Sequence, residues 1–522
     1  MLILRWSTRL ICSSNLIKTR IHFFSTTVSK QFDNPFTDHK SLTYKMPSNG
    51  ENSSELSPSQ MVDNARRAFA TDITKDVAFR REQLEKLDNM LVTNENVLAE
   101  AIKQDLRKPY FEAILTEIEF VRNEIHAVLN DLESWAKPQK VSKSLMTLFD
   151  SVYLHPEPYG VTLIIGAWNY PLMLTLCPVV GAIASGNTVI IKPSELSSAT
   201  AKVLAALIPR YLDQDCYQVF LGGPQETAEL VKQKFDYIFY TGSSRVGKLI
   251  YLEAAKNLTP VTLELGGKSP LYFDDSADNN LAAIRRLVWG KFVNNGQTCV
   301  APDYILCSRK VQASLLKQLP QVIEEFYSND VKNHDDYGRI ININHFKRIV
   351  KLMEDNKGKI VIGGNYDEKE LFIEPTVMSN VSPDDSIMQD EIFGPILPIV
   401  VVDSADDAIQ FINNREKPLS LYIFSKNQSI VDKFSQKTSS GAISVNDCLI
   451  HLSVDSLPFG GVGNSGIGRY RGKFSFDTFT HYKSVLHRGY NFILEALGSH
   501  RYPPYTPRSM TFMSLLTRKR WF

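Results

Sequence analysis

No charge of one sign dominates this 522-residue chain: 58 Lys and Arg stand against 57 Asp and Glu, a net charge of +1. The basic field that draws a protein to nucleic acid is missing. No RNA-binding, zinc-finger or helix-turn-helix pattern replaces it, so nucleic acid is excluded as a partner. Cysteine is scarce. The six are Cys12, Cys177, Cys216, Cys299, Cys307 and Cys448, and no two form a C-x-x-C pair. A chain this long needs no disulfides to hold its core, so a reduced, intracellular protein without a metal site is expected.

Acidic residues are absent at both ends. None precedes Asp33, while Arg5, Arg9, Lys18, Arg20 and Lys30 lie among many Ser and Thr. A basic, acid-poor segment at 1–32 reads as a mitochondrial presequence; the alternatives are a disordered tail or a start at Met46. Residues 33–57 are polar and read as a linker. No acidic residue follows Glu495, and Arg501, Arg508, Arg518, Lys519 and Arg520 alternate with apolar groups. Segment 509–522 is too short to span a bilayer. It suits peripheral contact with an anionic membrane, or else an arm packed on the protein or a frayed end. Lipid droplet, endoplasmic reticulum or an outer-membrane surface are the other addresses such a tail allows.

Charge is also missing throughout 158–191. A hydropathy window flags this run as membrane-spanning. Pro171 and Pro178, Asn169 and Asn187, and Gly166, Gly181 and Gly186 argue against a spanning helix. Buried strand (VTLIIG), loop (AWNYP), helix (LMLTLCPVVGAIASG) and buried strand (NTVIIKP) fit better, because a strand covered on both faces is a continuous apolar run.

What is present is a two- or three-domain globular chain, 43% hydrophobic and 22% charged. Apolar spacing predicts two helices over 58–104 and a long one at about 110–135. Residues 139–155 read as an extended excursion. From 160 onward VTLIIG, TVIIKP, YQVFLGG, YIFYTGS and VTLELGG alternate with helical stretches, the pattern of a parallel sheet covered by helices. A second alternating stretch runs from 270 to about 440.

Four segments carry chemistry. In FVNNGQTC, Gly296 permits a tight turn and Cys299 follows a polar loop. A thiolate there, near a helix start in an electropositive setting, would have a lowered pKa and attack a carbonyl carbon; the plain alternative is a small buried hydrophobe. In VTLELGGKSP, Glu264 sits in an apolar strand, where desolvation raises its pKa towards that of a general base near neutrality; the alternative is a structural Glu paired with Lys268. In YTGSSRVG a strand ends in Gly242 and Ser243, and Gly247 opens a helix whose N-terminus suits a pyrophosphate, although the spacing is neither G-x-G-x-x-G nor a P-loop. In KPSE, Lys192 and Glu195 lie at a strand's carboxyl end, where open α/β sheets bind ligands. A Glu195 carboxylate on ribose hydroxyls would favour NAD over NADP.

Taken together with PEPYGVTLIIGAWNYP, WGKFVNNGQTCVAPDY, EIFGPILPIV and LPFGGVGNSGIGRYRGKFSF, these segments resemble the aldehyde dehydrogenase superfamily. The likeness covers about 58–505 and is greatest to the class 3 branch, which holds the fatty aldehyde dehydrogenases. It implies an α/β fold: an NAD-binding, Rossmann-like domain (58–138 and 156–264), a catalytic domain (265–444), a bridging, oligomerising β region (139–155 and 445–482) and a basic C-terminal tail (483–522). It implies NAD, or NADP, as cofactor, and a homodimer. Cys299 would be the nucleophile, Asn169 the oxyanion donor with the Cys299 N–H, and Glu264 the base that activates water. Lys192 and Glu195 would hold the ribose; Gly242, Ser243 and Gly247 would meet the pyrophosphate; Leu265, Glu391 and Phe393 would line the nicotinamide half. Tyr170 and Trp289 would line the aldehyde tunnel. A hydrophobic aldehyde is the expected substrate: first hexadecenal or another long-chain fatty aldehyde, then 4-hydroxybenzaldehyde. The rival from another class is an inactive membrane-associated scaffold. Two places depart from the branch: the transmembrane helix of the human-type fatty aldehyde enzyme has no counterpart, and Asp455 stands where a second His often follows the match to His451.

Overall fold

The computed structural model describes residues 56–490 and 492–517. The presequence expected at 1–32 lies outside the described residues, as do the linker up to residue 55 and the last five residues.

Two open sheets organise the chain. In the first, β1 (Val161–Ile165), β2 (Thr188–Lys192), β3 (Tyr217–Val219), β4 (Tyr237–Thr241) and β5 (Val261–Glu264) run parallel in the order β5-β4-β1-β2-β3. Gly466–Ile467 returns from far along the chain to pair antiparallel with β5. Alternate residues face opposite cores, as strand geometry requires. Ile164, Val189, Ile191 and Phe239 pack on one side with the buried Met173–Ser185 helix. Leu163, Ile165, Ile190, Ile238 and Leu263 pack on the other with Met61 and Val62. Both faces are covered, which is why these strands are unbroken apolar runs. Pro178 lies inside the Met173–Ser185 helix rather than ending it.

The second sheet holds β6 (Pro270–Phe273), β7 (Tyr304–Cys307), β8 (Thr376–Met378), β9 (Ile396–Val401), β10 (Ser420–Phe424) and β11 (Ala442–Val445). They run parallel in the order β8-β9-β7-β6-β10-β11, with Ile360–Ile362 antiparallel beside β8. The alternation recurs: Leu271, Phe273, Ile305 and Ile399 face one core, Tyr272, Leu306, Ile396 and Val400 the other. A smaller antiparallel sheet joins Gln139–Lys140, Ser151–Pro158 and Thr480–His487. The extended stretch expected at 139–155 is thus strand at both ends, with a turn of 3-10 helix between.

Two helical expectations need correction. Residues 58–104 hold three helices rather than two, Pro58–Ala70, Val77–Thr93 and Glu95–Leu106. Asn94 makes the extra break: its backbone leaves helical values and its side-chain amide donates to the Met90 carbonyl at 2.8 Å. The helix at 110–135 is present, but Ile114–Ile118 is a π-turn. No described helix is long and apolar enough to cross a membrane.

Candidate active site

Asn294, Asn295 and Gly296 follow the Leu281–Phe292 helix and all take left-handed values, φ 51°, 55° and 69°. Left-handed backbone costs an ordinary L-residue roughly 1–2 kcal/mol, and Asn and Gly are the residues that visit it. A Cβ at Gly296 would strike the Gly394 carbonyl oxygen and stand 3.0 Å from that of Lys291. The turn is braced from several directions. The Asn294 N–H donates to Glu112 at 3.1 Å, and its side-chain amide donates to the Asn169 main-chain oxygen at 2.8 Å. The Gln297 amide donates to Arg339 O at 2.9 Å and accepts from Ile341 N–H at 3.0 Å. Cys299 is thereby held half-buried on the wall of a cleft. Beside it, one hydrogen of the Asn169 amide is donated to the Gln297 carbonyl at 3.0 Å, which leaves the other for a substrate oxygen. Tyr170 OH meets Thr298 Oγ1 at 2.8 Å.

Glu264 ends β5. It is 2% exposed, and neither carboxylate oxygen has a hydrogen-bond partner among the described residues. Lys268 does not pair with it; that ammonium binds Asp303 at 2.7 Å and the carbonyls of Ile387 and Asp390. Burial therefore lifts the Glu264 pKa well above the carboxylate range. Glu391 lies against Gly266, where a Cβ would collide with its carboxylate. Its pKa is pushed up to about 8, first by burial and then by Asp303, against the pull of the Gly267 N–H, Lys268 and Arg348. The electropositive setting expected for Cys299 is not what surrounds it. Burial raises the thiol, and Glu391 and Glu264 raise it further. These surroundings disfavour the thiolate, the form that attacks.

The cleft, about 2160 Å³, opens along the carboxyl edge of the first sheet. The strand order reverses between β1 and β4, the place where open α/β sheets hold their ligands. Lys192 and Glu195 form an ion pair at the end of β2, the lysine buried and the carboxylate partly exposed. Gly242 follows β4, and Ser243 caps the Ser244–Ala255 helix by accepting from Val246 N–H at 3.4 Å. A Cβ at Gly247 would stand 2.8 Å from the Leu265 side chain, so the glycine lets this helix N-terminus sit close to β5. Phe393 meets the edge of Trp168 at 5.2 Å, and Trp168 packs on His345 at 4.8 Å.

The cleft brings together Asn169, Lys192, Glu195, Gly242, Ser243, Glu264, Leu265, Cys299, Glu391 and Phe393. Gly247, Tyr170 and Trp289 stand outside its lining; Trp289 is exposed on the helix that leads into the Cys299 turn. Sequence reasoning missed Thr241, whose buried hydroxyl has no partner among the described residues and which lines the cleft beside Gly242. It also missed Trp168, His345 and Arg348. Trp168 lies inside the AWNYP segment and was within reach. Arg348, which donates to the Ile392 carbonyl at 2.7 Å, sits on an ordinary amphipathic helix that gives no signal. A dinucleotide fits this cleft: a capped helix N-terminus, an orphan hydroxyl and a Lys–Glu pair lead along one edge to the cysteine.

At the far side of β10, His451 lies 3.4 Å from Ser420 Oγ, and its Nδ1 has no partner. Burial lowers its pKa to about 4. Asp455 pairs with Arg471 at 3.3 Å, and Arg471 in turn holds Glu124 at 2.9 Å.

Comparison with known proteins finds relatives over most of the chain. The profile described as "Aldehyde dehydrogenase family" matches residues 34–485. Aldehyde dehydrogenase family 3 member B1 of Rattus norvegicus is 49% identical over 455 residues, 87% of this chain and 96% of that protein. A Mus musculus protein named "Aldehyde dehydrogenase, dimeric NADP-preferring" is 49% identical over 85% of this chain and 97% of its own length. Among solved structures, the substrate-bound state of Staphylococcus aureus AldH superimposes with a TM-score of 0.85 and 43% identity, covering 88% of this chain and 99% of that one.

Proposed function

The chain belongs to the aldehyde dehydrogenase family, and from that membership we propose that it oxidises a long-chain fatty aldehyde, hexadecenal first, to the acid through a thioester on Cys299. It is an NAD(P)-dependent aldehyde-oxidising enzyme whose relatives are family 3 members. The observation that carries the residue assignment is that the buried Glu264 carboxylate, unpartnered among the described residues, lines the same cleft as the half-buried Cys299 thiol.

The proposed roles are as follows. Cys299 adds to the carbonyl carbon after its proton has passed to the Glu391 carboxylate, which leaves Glu264 for the later step. The oxygen anion that forms is met by the free hydrogen of the Asn169 amide and by the Cys299 N–H; one such donor is worth about 10²–10³ in kcat. When bound, the nicotinamide dinucleotide supplies the hydride acceptor. Lys192 and Glu195 would hold its ribose. Gly242, Ser243 and the helix that Gly247 seats would take the pyrophosphate, and Leu265, Glu391 and Phe393 would flank the nicotinamide half. Glu264 then removes a proton from the water that cleaves the thioester. Its raised pKa makes it a strong enough base for that step. Tyr170 and Trp289 would flank the approach of the aldehyde. A homodimer goes with this reading, supported by the relative named dimeric. A mitochondrial address at 1–32 and peripheral membrane contact after Glu495 rest on the sequence alone.

The test is NADH formation by the purified protein with hexadecanal, trans-2-hexadecenal, 4-hydroxybenzaldehyde and acetaldehyde, with Cys299→Ala as control. Preference for the long chains, abolished in the variant, is the expected result. Preference for the aromatic aldehyde overturns the substrate, and turnover that survives in Cys299→Ala overturns the mechanism.

A further inference from the structure

Three ionisable groups take no part in the chemistry above: the buried Lys108 and Glu117, and the partly buried Glu112. The side chains of Lys108 and Glu117 are wholly shielded from solvent, and they pair at 2.5 Å. A buried ion pair holds a fold together less well than apolar groups of the same volume, so its placement calls for another reason. Lys108 Nζ also donates to the Asn169 main-chain oxygen at 3.1 Å and stands 4.0 Å from the centre of the Tyr170 ring. The second oxygen of Glu117 accepts from Leu172 N–H at 2.8 Å. Glu112 accepts from Asn294 N–H at 3.1 Å, and Asn294 bonds the same Asn169 oxygen. One segment therefore grips both the Asn169–Leu172 backbone and the left-handed turn before Cys299. Glu117 reaches them from the π-turn, a local widening of the helix that is frequent at functional sites.

We propose that Lys108 is the positioning residue of the oxyanion pocket: held by Glu117, with Glu112 bracing the turn, it locks the Asn169 peptide against the Cys299 loop so that the Asn169 amide meets the developing anion. The inference rests on the reading of Asn169 as the oxyanion donor. Glu112 tunes the arrangement. Burial pushes its pKa up to about 7, against Lys108 and the Asn294 N–H. The ionisable groups that face it are Lys108 and Glu117 from its own segment, with Asp336, Tyr170 and Tyr327 from the elements packed on it. With Glu112 protonated, the three groups sum to neutrality. Once it ionises, they carry one excess negative charge and oppose the oxyanion.

The test uses the full chain, NAD and whichever aldehyde of the panel above has the highest kcat/KM. Three quantities are compared: the pre-steady-state NADH burst, the rate at which iodoacetamide alkylates Cys299, and NAD affinity by fluorescence. Alkylation builds no oxyanion, so it separates positioning from general damage. Lys108→Met leaves Glu117 buried without its partner, so the charge-neutral double variant Lys108→Met with Glu117→Gln is made beside it, and Asn169→Ala tests the underlying reading. The expected result is a burst slowed about tenfold or more in the double variant and in Asn169→Ala, with alkylation and NAD affinity nearly unchanged. In Glu112→Gln, the burst relative to wild type rises by about threefold or more between about pH 6 and about pH 9. If the burst of the double variant is intact while Asn169→Ala loses its own, the inference fails and the oxyanion reading stands. If Asn169→Ala keeps its burst, the reading fails and the inference falls with it. Burst, alkylation and NAD affinity falling together reduce Lys108 to a structural group, and a flat Glu112→Gln ratio removes Glu112 from the device.

Discussion

Glu264 and Cys299 line the same cleft; in the proposed mechanism their duties separate in time, and a single substitution can show it. Glu264→Gln keeps the shape and removes the base. The expected outcome is a full burst of NADH followed by steady-state turnover lowered about 10²–10⁴-fold, measured by stopped-flow. Loss of the burst as well would make Glu264 the acceptor of the thiol proton. His451 offers a stability measurement. Its folded pKa is about 4 against an ordinary 6.5. Between those values the unfolded chain binds the proton and the folded one does not, so stability falls as pH is lowered through that window. His451→Gln should flatten the fall in urea-unfolding free energy from about pH 6.5 to about pH 4; an unchanged slope would show that other groups cause it. Cys299, Glu264 and the Lys192–Glu195 pair are candidates in the sequence, each with a plain alternative beside it, and Asn169 enters only through the family resemblance; the fold lines one cleft with all five. The thiol's surroundings are not legible there: the carboxylates that raise it come from 264 and 391, and only folding sets them beside residue 299.

At the scale of elements, the left-handed turn at 294–296 is the most exacting piece of backbone. Gly296→Ala places a methyl group against the Gly394 carbonyl at φ 69°. The left-handed conformation alone costs about 1–2 kcal/mol, and the collision adds to it. A lowered urea midpoint and a weakened burst are expected together. A normal burst would show that Cys299 does not depend on the turn. Gly247→Ala tests the other end of the cleft. Its methyl group would press on Leu265, pushing the Ser244–Ala255 helix off β5, and NAD affinity should drop while Cys299 alkylation stays as it was. The five strands of the first sheet could be read directly because burial on both faces leaves long apolar runs. The break at Asn94 and the π-turn at 114–118 could not. Both depend on one side chain's bonding or one extra residue in a helix, and neither disturbs the apolar spacing from which helices are read.

At the scale of the whole molecule, the cleft is lined by strand ends of the first sheet and by loops and helices around the second, among them Cys299, Arg348 and Glu391, so NAD should stabilise the chain as one unit. At about a hundred times its Kd it should add about 2.7 kcal/mol to the unfolding free energy, with circular dichroism and tryptophan fluorescence giving coincident transitions. Separate transitions, only one of them shifted, would mean that the sheets unfold independently. The alternation of strand and helix shows in the sequence that there are two sheets; which distant segments finish them does not. Gly466–Ile467 closes the edge of β5, and Thr480–His487 pairs with Ser151–Pro158 over eight positions. A chain emerging from the ribosome therefore makes the Glu264 strand some two hundred residues before its last neighbour exists. Contacts of such long sequence separation form slowly, and an unpaired strand edge is open to other chains while it waits. The first sheet cannot be completed until the second has been synthesised, so the enzyme's assembly, and its exposure to aggregation, are governed by the last part of the chain to be made.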